Sequence, residues 1–284
     1  MVNKDFSIKH SGLNGAIKFI SSLTQKAYPN SDFEVHTHYQ DFEIYHFLEG
    51  DLVFAFEGRY IKVEKGSMII ISNGVLHRPI IKSNCRYYRK RILFNKEIFI
   101  KFNTMDFEFY NKLKKRKILV LGKEKVEKTG IDTLFCDIER ELALNTPYNN
   151  FCALISLFSL LIKAEKYSEQ IENIVDDTHS EKISQIIRYI DEHMTEDLTY
   201  KALSETFCLS EKSLYKFFKK ETGFALGSYI NERRIIIAQS ILNAGGSAQS
   251  AAYTAGFRDY SVFYRCFLKK VGMSPAEYIK VSRR

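Results

Sequence analysis

The residues best suited to chemistry are three histidines and a glutamate in the first third of the sequence. In "HTHYQDFE", His36 and His38 are two positions apart, so on a β-strand both imidazoles point to the same face. Glu43 opens the next apolar run, and His77 returns from a later one. Three imidazoles and a carboxylate on one inner face could hold a divalent transition metal such as Zn, Mn, Fe or Ni. The same polar groups could instead hydrogen-bond an organic ligand without metal.

A small-molecule pocket is expected around this cluster. Tyr45 and Phe47 lie on the same strand face as Glu43, because alternate residues of a strand share a face. Arg78 stands next to His77 and could hold a sugar hydroxyl or a carboxylate. The effector pocket predicted from the sequence therefore consists of His36, His38, Glu43, Tyr45, Phe47, His77 and Arg78.

The elements that must position these residues are short runs rich in β-branched and aromatic types, such as "FEIYHFLEG", "DLVFAFEG" and "SMIIIS". They extend from about residue 33 to residue 94 and are separated by glycines, which predicts an all-β unit folded as a barrel or a sandwich. After residue 95 the apolar spacing changes to three and four, the pattern of amphipathic helices. The most apolar helix candidate, "FCALISLFSLLI" at 151–162, needs partners on more than one side. It either fills the core of the first domain or pairs two copies of the chain.

The bulk composition argues against several classes of protein. With 284 residues, 45% hydrophobic and 27% charged, the chain is long enough for two ordinary domains and lacks the bias of disordered proteins. Its five cysteines are widely spaced without a C-x-x-C pair, which argues against a disulfide framework or a cysteine zinc cluster and favours a cytoplasmic location. No export signal and no membrane span are predicted, since the apolar run at 151–162 is too short to cross a bilayer.

The second half of the chain is separated from the first and contains an internal repeat. The acidic stretch 168–181, "SEQIENIVDDTHSE", predicts a linker between a domain of residues 1–167 and one of residues 182–284. Within the latter, "LYKFFKKETGFALGSYI" from residue 214 aligns with "FYRCFLKKVGMSPAEYI" from residue 263. A short helix and a tight turn precede each copy, which predicts two helix-turn-helix units in tandem.

Cap residues support these helix boundaries. Ser210 and Asp259 stand where a side chain would accept the free amide hydrogens of the helix that follows. Ser274 and Glu277 form a capping box around Pro275, which predicts the start of a terminal helix.

The second helix of each unit has the composition of a nucleic-acid interface. Its apolar stripe is expected to face the core, leaving basic residues, tyrosines and a serine exposed on a helix narrow enough to enter a major groove. The half of the chain from residue 180 onward also carries most of the net positive charge, the expected electrostatic footprint. A tandem helical repeat that binds no DNA is the plainer alternative. The candidate DNA-binding residues are Lys212, Tyr215, Lys216, Lys219, Lys220, Tyr260, Ser261, Val262, Arg265 and Lys269.

The stretch from about 182 to 281 resembles the DNA-binding domain of the AraC/XylS family of bacterial transcription regulators, a two-headed helix-turn-helix unit. The resemblance is carried by "LSEKSLYKFFKKETGFALGSYINERR", "AQSILNAG" and "AAYTAGFRDYSVFYRCFLKKVGMSPAEYI". By position, it implies base contacts from Lys212, Tyr215 and Lys216 in the first unit and from Tyr260, Ser261, Val262 and Arg265 in the second.

The N-terminal half resembles the cupin β-barrel. Its two motifs are the H-x-H-x4-E-x6-G pattern that begins at His36 and the stretch "GSMIIISNGVLH", in which Ser72 replaces the usual proline. A further departure is Ile81, where an asparagine is expected. With the resemblance of the C-terminal half, this implies a two-domain fold. An all-β cupin-like barrel and following helices form the N-terminal part, and an all-α tandem helix-turn-helix forms the C-terminal part.

The two resemblances together imply a regulator of transcription, usually an activator, that is not an enzyme. Its effector would be a small molecule such as a sugar, and its partners would be double-stranded DNA, RNA polymerase and a second copy of the chain. The rival interpretation is a metal-dependent cupin enzyme, or a metal sensor, with a DNA-binding tail. In both rivals the metal ligands would be His36, His38, Glu43 and His77.

Overall fold

The chain folds into two units. The first consists of Met1–Phe56 and Tyr60–Val175, and the second consists of Glu57–Arg59 and Asp176–Arg284. The first is rich in strands and the second is helical, which confirms the predicted two-domain fold class. Residues 169–177 of the predicted linker lie outside the described residues, whereas residues 178–181 at its end belong to a helix. The computed structural model describes residues 5–29, 33, 35–38, 41–57, 59–95, 98–99, 109–168, 178–196, 198–222 and 224–282.

Two β-sheets make up the strand-rich part of the first unit. Its strands are β1 Phe6–Gly12, β2 Ile17–Ala27, β3 Asp41–Glu49, β4 Leu52–Phe56, β5 Arg59–Lys62, β6 Met68–Ile71, β7 His77–Ile81, β8 Cys85–Asn95 and β9 Ile118–Leu121. Within the described ranges, six of them form a sheet in the order β1-β2-β8-β3-β6-β9 and three form a sheet in the order β5-β4-β7. Every pairing between these strands that the structure describes is antiparallel.

The β region predicted from the sequence, residues 33–94, is shorter at both ends than the observed one. β1 and β2 precede it, and β9 follows it after an intervening helix. β1 is an edge strand whose side chains are mostly exposed, so its sequence lacks the apolar alternation of a half-buried strand. Its register is set by pairing with β2, from Phe6 opposite Leu23 to Gly12 opposite Ile17.

Alternation along β3 divides the first unit into two cores. Phe42 and Ile44 point to the face of the larger sheet that the helices cover, whereas Tyr45 and Phe47 point into the space between the two sheets. One strand therefore supplies side chains to the helix-packed core and, through the alternate positions, to the interior between the sheets.

The first unit also contains four helices with described bounds, one before β9 and three after it. The longest starts at Pro147, the favoured residue at a first helical position, and its N-cap Thr146 accepts a hydrogen bond from the Asn149 amide at 3.3 Å. One face of this helix is buried in the first unit's core, as the apolar run at 151–162 indicates. No helix in the described ranges is long and apolar enough to cross a membrane. The helices are α1 Phe109–Arg116, α2 Lys123–Thr129, α3 Ile131–Leu144 and α4 Pro147–Tyr167.

The second unit contains two helix-turn-helix pairs joined by a long helix. Its described helices are α5 Thr178–Glu192, α6 Tyr200–Thr206, α7 Glu211–Thr222, α8 Leu226–Asn243, α9 Ala248–Thr254, α10 Tyr260–Val271 and α11 Pro275–Ser282. The first pair is α6 with α7, the second is α9 with α10, and α8 connects them.

The predicted helix caps of this unit are confirmed. Ser210 accepts a hydrogen bond from the Ser213 amide at 3.1 Å, and Asp259 accepts one from the Val262 amide at 2.9 Å. At the start of α11, the Glu277 amide donates to the Ser274 hydroxyl at 3.2 Å, and the Ser274 amide donates to the Glu277 carboxylate at 2.7 Å. The reciprocal pair is a complete capping box.

Candidate functional site

The three histidines and the glutamate singled out in the sequence come together in the first unit. His36 lies beside His77 through a pair of backbone hydrogen bonds of 3.1 and 3.0 Å. The Nε2 atoms of His38 and His77 lie 3.1 and 2.8 Å from the same Glu43 oxygen, Oε2. One potential ligand atom from each of the four residues lies within 4.8 Å of the others.

The hydrogen bonds of His77 determine which of its nitrogens carries a proton. Its Nδ1 lies 2.9 Å from the Val75 carbonyl oxygen, which can only accept, so Nδ1 carries hydrogen. In the neutral ring, Nε2 then presents a lone pair toward the Glu43 carboxylate. The 2.8 Å contact between these two atoms therefore needs a proton between them or a cation shared by both groups.

Glu43 is buried, and two opposing effects act on its pKa. Burial alone would raise the pKa, whereas hydrogen bonds from His38 and His77, together with their charge, lower it. The second effect dominates, so the pKa of Glu43 lies well below its ordinary value. The carboxylate is therefore ionised at neutral pH.

The donor set fits a divalent transition metal. Imidazole nitrogens and a carboxylate oxygen suit zinc, iron, nickel or manganese. The 2.8 and 3.1 Å separations also resemble the roughly 3 Å between neighbouring ligands around a six-coordinate ion with bonds of roughly 2.1 Å. His77 Nδ1 donates a hydrogen bond to a backbone carbonyl, and metal-binding histidines usually make such a bond with the nitrogen that does not bind the metal.

A cavity of about 420 Å³ opens beside this cluster. Four of the seven predicted pocket residues line it: His36, Glu43, Tyr45 and His77. Two others lie next to it. His38 is hydrogen-bonded to Glu43, and Phe47 is buried in the core between the sheets. The full lining is Phe33, His36, Glu43, Tyr45, Phe54, His77, Pro79, Tyr87, Arg89 and Arg91.

Arg78 is not part of this lining. It lies on β7 between His77 and Pro79, both of which line the cavity. Because successive strand residues point to opposite faces, the Arg78 side chain leaves on the other side of the sheet. The expectation that Arg78 holds a ligand in this cavity is therefore corrected, although its neighbour in the sequence contributes as expected.

Two arginines of β8, which the sequence reasoning missed, line the cavity instead. Arg89 lies opposite Phe47 and Arg91 opposite Tyr45 across the β3–β8 pairing. Arg89 lies over the ring of Tyr87, with 4.3 Å between its guanidinium carbon and the ring centre. In "RYYRKRILF", residues 87, 89 and 91 alternate, so a period of two was the available signal.

The hydroxyls of Tyr45 and Tyr87 are hydrogen-bonded to each other at the wall of the cavity. Burial raises the pKa of Tyr87 to about 12, although the nearby Arg89 charge opposes the shift. Burial and the neighbouring Tyr87 raise the pKa of Tyr45 well above its usual value. Both phenols therefore stay protonated at neutral pH and can donate as well as accept hydrogen bonds.

The second helices of the two helix-turn-helix pairs bury matching residues. α7 buries Leu214 and Phe218, and α10 buries Phe263 and Phe267. All ten residues predicted to contact DNA are exposed on the two helices. They are Lys212, Tyr215, Lys216, Lys219 and Lys220 on α7, and Tyr260, Ser261, Val262, Arg265 and Lys269 on α10.

Both halves of the chain match known protein families. Residues 203–280 match the family model described as a helix-turn-helix domain, and residues 20–101 match the one described as an AraC-like ligand binding domain. The two matches together cover more than half of the chain.

Curated relatives include activators of transcription. The chain is 27% identical over 122 residues to the HTH-type transcriptional activator RhaS of Escherichia fergusonii and 29% identical over 122 residues to RhaS of Salmonella arizonae. Each match covers 43% of this chain and 43% of the relative, so the chain spans less than half the length of these relatives.

Solved structures with a likeness to the chain include a DNA complex. The DNA-binding domain of the transcriptional factor AdpA, solved with a target DNA, is 25% identical, and the likeness covers 35% of this chain and 91% of that one with a TM-score of 0.34. ToxT from Vibrio cholerae is 15% identical, with 93% of this chain and 97% of that one covered and a TM-score of 0.39.

Proposed function

Since the chain belongs to the AraC family, with an N-terminal ligand-binding domain and a C-terminal helix-turn-helix domain, we propose that it regulates transcription by binding specific DNA sequences. The observation that carries the proposal is the pair of capped helices, α7 and α10, whose outer faces are basic and aromatic. Lysine and arginine side chains can reach phosphates and guanine edges, and tyrosine and serine can contact either. The curated relatives are activators, so activation, with RNA polymerase as a partner, is the expected direction.

The proposal is tested with DNA selected by the protein from a random-sequence duplex library. We expect Arg265→Ala to weaken binding to the selected site by about 1–3 kcal/mol and to relax the base preference at one position. Lys219→Ala should weaken binding to all sequences and flatten the salt dependence, because a phosphate contact carries no sequence information. Arg188→Ala, an exposed arginine of α5 outside both helix-turn-helix pairs, is the matched control. Failure to select any sequence, or equal losses for Arg188→Ala and Arg265→Ala, would contradict the proposal.

In this proposal, the effector binds in the first unit. A ligand can change DNA binding only if it binds one arrangement of the protein more tightly than another. The cavity of about 420 Å³ between the sheets supports a small organic molecule as that ligand, since it combines aromatic walls with a few polar groups.

We also propose that the regulator is a homodimer in the cytoplasm, paired through α4. The exposed side of this helix carries Tyr148, Phe151, Ile155 and Ile162, which are 86%, 53%, 55% and 51% exposed. The spacings of three, four and seven residues place these side chains on one stripe, the pattern of a helix that pairs with another. A second copy presents the same stripe and would cover it. The opposite face of α4 is buried in the core of the first unit, so this helix would both fill that core and pair two copies of the chain.

A second candidate function is divalent-metal sensing, favoured by the four ligand atoms that lie within 4.8 Å of one another. Zinc added to the chelator-treated full chain should bind, and His38→Ala should weaken zinc binding at least roughly tenfold, since one imidazole ligand is lost. His10→Ala is the matched control, because His10 lies outside the cluster and stacks on Phe19 at 6.2 Å. Equal zinc affinity in the parent and in His38→Ala would contradict this candidate. A metal-dependent enzyme would need, in addition, an acid or base within reach of its substrate.

A further inference from the structure

Arg89 and Arg91 place two fixed positive charges in the wall of the cavity. Both lie on β8 and face inward with Tyr87, and guanidinium groups stay charged at any physiological pH. Among the lining residues that the structure describes, Glu43 is the single acid. The two guanidinium groups therefore outnumber the one carboxylate of the lining, which favours an anionic ligand.

Glu43 does not satisfy the two arginines. Its Oε2 atom accepts the contacts from His38 and His77, and its Oε1 atom lies 3.6 Å from Arg91 Nη1, beyond hydrogen-bonding distance. Arg89 instead lies over the faces of Tyr87 and Phe33, at 4.3 and 5.2 Å from the ring centres. These ring contacts orient its guanidinium and leave the edge of its plane available for hydrogen bonds.

Both arginines also bury a hydrogen-bond donor that has no partner. Within the described residues, no acceptor lies in reach of Arg89 Nη1 or of Arg91 Nε, and both atoms are shielded from solvent. A buried donor left unpaired is costly, and the cost is larger for a charged group. Donors of this kind on two neighbouring inward positions indicate a ligand that supplies the acceptors.

From these observations we propose that the effector is a small carboxylic acid, bound as the anion, whose carboxylate is held by Arg89 and Arg91. A planar carboxylate matches the fork of N–H groups on a guanidinium, and charge-assisted bonds of this kind are among the strongest hydrogen bonds in proteins. The rest of the molecule lies against Phe33 and Phe54, with the hydroxyls of the Tyr45–Tyr87 pair as polar partners. The proposal rests on the function proposed above, in which the cavity is the sensor site.

The test is calorimetric binding to the full chain in a chelator-containing buffer free of other carboxylates. The probes are galacturonate, glucuronate, benzoate and hexanoate, each measured beside its neutral counterpart, namely galactose, glucose, benzyl alcohol and hexanol. At least one acid should bind at least tenfold more tightly than its counterpart. Arg89→Gln and Arg91→Gln should each weaken binding of that acid by roughly 10- to 100-fold, the usual range for a hydrogen bond to a charged group.

Arg86→Gln is the matched control, because Arg86 is an exposed residue of the same strand, 3.6 Å from Glu49. It should leave acid binding unchanged. The carboxylate proposal is overturned if no acid is favoured over its neutral counterpart, or if both cavity variants bind the acid as tightly as the parent does. Circular dichroism and binding to the selected DNA are measured on each variant, so that a folding defect is recognised. Specific DNA binding without preference for an acid removes this inference alone, whereas failure to select any DNA removes the proposed function.

Discussion

Replacing Phe267 by alanine is expected to destabilise the second helix-turn-helix pair by about 3–5 kcal/mol, the usual cost of deleting a buried phenylalanine ring. Phe267 is fully buried. Its ring centre lies 5.4 Å from that of Phe263 on the same helix and 5.5 Å from that of Tyr278 on α11. Truncation removes both ring contacts and leaves a cavity where α10 meets α11, so the exposed face of α10 loses its fixed position.

The measurement is urea unfolding followed by circular dichroism, together with a footprint on the selected DNA. Leu268→Ala is the matched control, because Leu268 is the next residue on α10 and is 42% exposed. Phe218→Ala should have a similar cost in the first pair, since Phe218 packs on Tyr229 at 5.3 Å and 80°, as Phe267 packs on Tyr278 at 5.5 Å and 80°. A loss for Phe267→Ala no greater than for Leu268→Ala would show that this ring is not part of a core.

Gly256→Ala is expected to destabilise the second unit by about 2–5 kcal/mol. Gly256 has a φ of +93°, which L-residues rarely adopt. A Cβ there would lie 2.1 Å from the backbone oxygen of Met194 and 2.9 Å from Arg234 Nε. Arg234 donates to the same Met194 oxygen from Nε at 3.1 Å and from Nη2 at 2.9 Å, so the added methyl group meets an atom already held in place. The estimate combines about 1–2 kcal/mol for the backbone with about 1–3 kcal/mol for overpacking.

Gly245→Ala separates these two contributions. Gly245 has the same φ of +93°, but a Cβ there would meet nothing within 4 Å. Its replacement should therefore cost only the backbone part, about 1–2 kcal/mol. Hydrogen exchange of the α9 and α10 amides, compared between the two variants, reports whether the damage is local. Equal destabilisation at positions 245 and 256 would mean that the contact with Met194 contributes nothing.

The histidine cluster and the helix caps could be predicted because both are set by local sequence rules. His36 and His38 share a strand face by spacing alone, and Ser210 and Asp259 precede their helices in the sequence. The repeat aligns Phe218 with Phe267, and both rings are buried. Such features depend on a few neighbouring residues, so one sequence contains the information that they need.

The arginine side of the cavity could not be predicted in this way. Arg89 and Arg91 belong to the cavity because β8 pairs with β3, which lies more than forty residues earlier in the chain. The period of two at residues 87, 89 and 91 places these side chains on one face of the strand, but no local signal shows the long-range pairing that turns this face toward the cavity. Arg78 was chosen for its place beside His77, although the alternation of a strand sends adjacent side chains to opposite faces. The edge strand β1 was missed because its exposed side chains show no apolar period.

The tandem arrangement of unlike helices has a consequence for the DNA that such a protein would read. A palindromic site mirrors a protein with two identical reading heads related by a two-fold axis. Here one chain offers two different surfaces in a fixed order, a lysine-rich α7 and then an α10 with tyrosines, a serine and an arginine. Reversing the DNA would present each surface with the wrong bases. The sequence recognised by a single chain would therefore be directional, and the bound protein would face one neighbouring gene rather than the other.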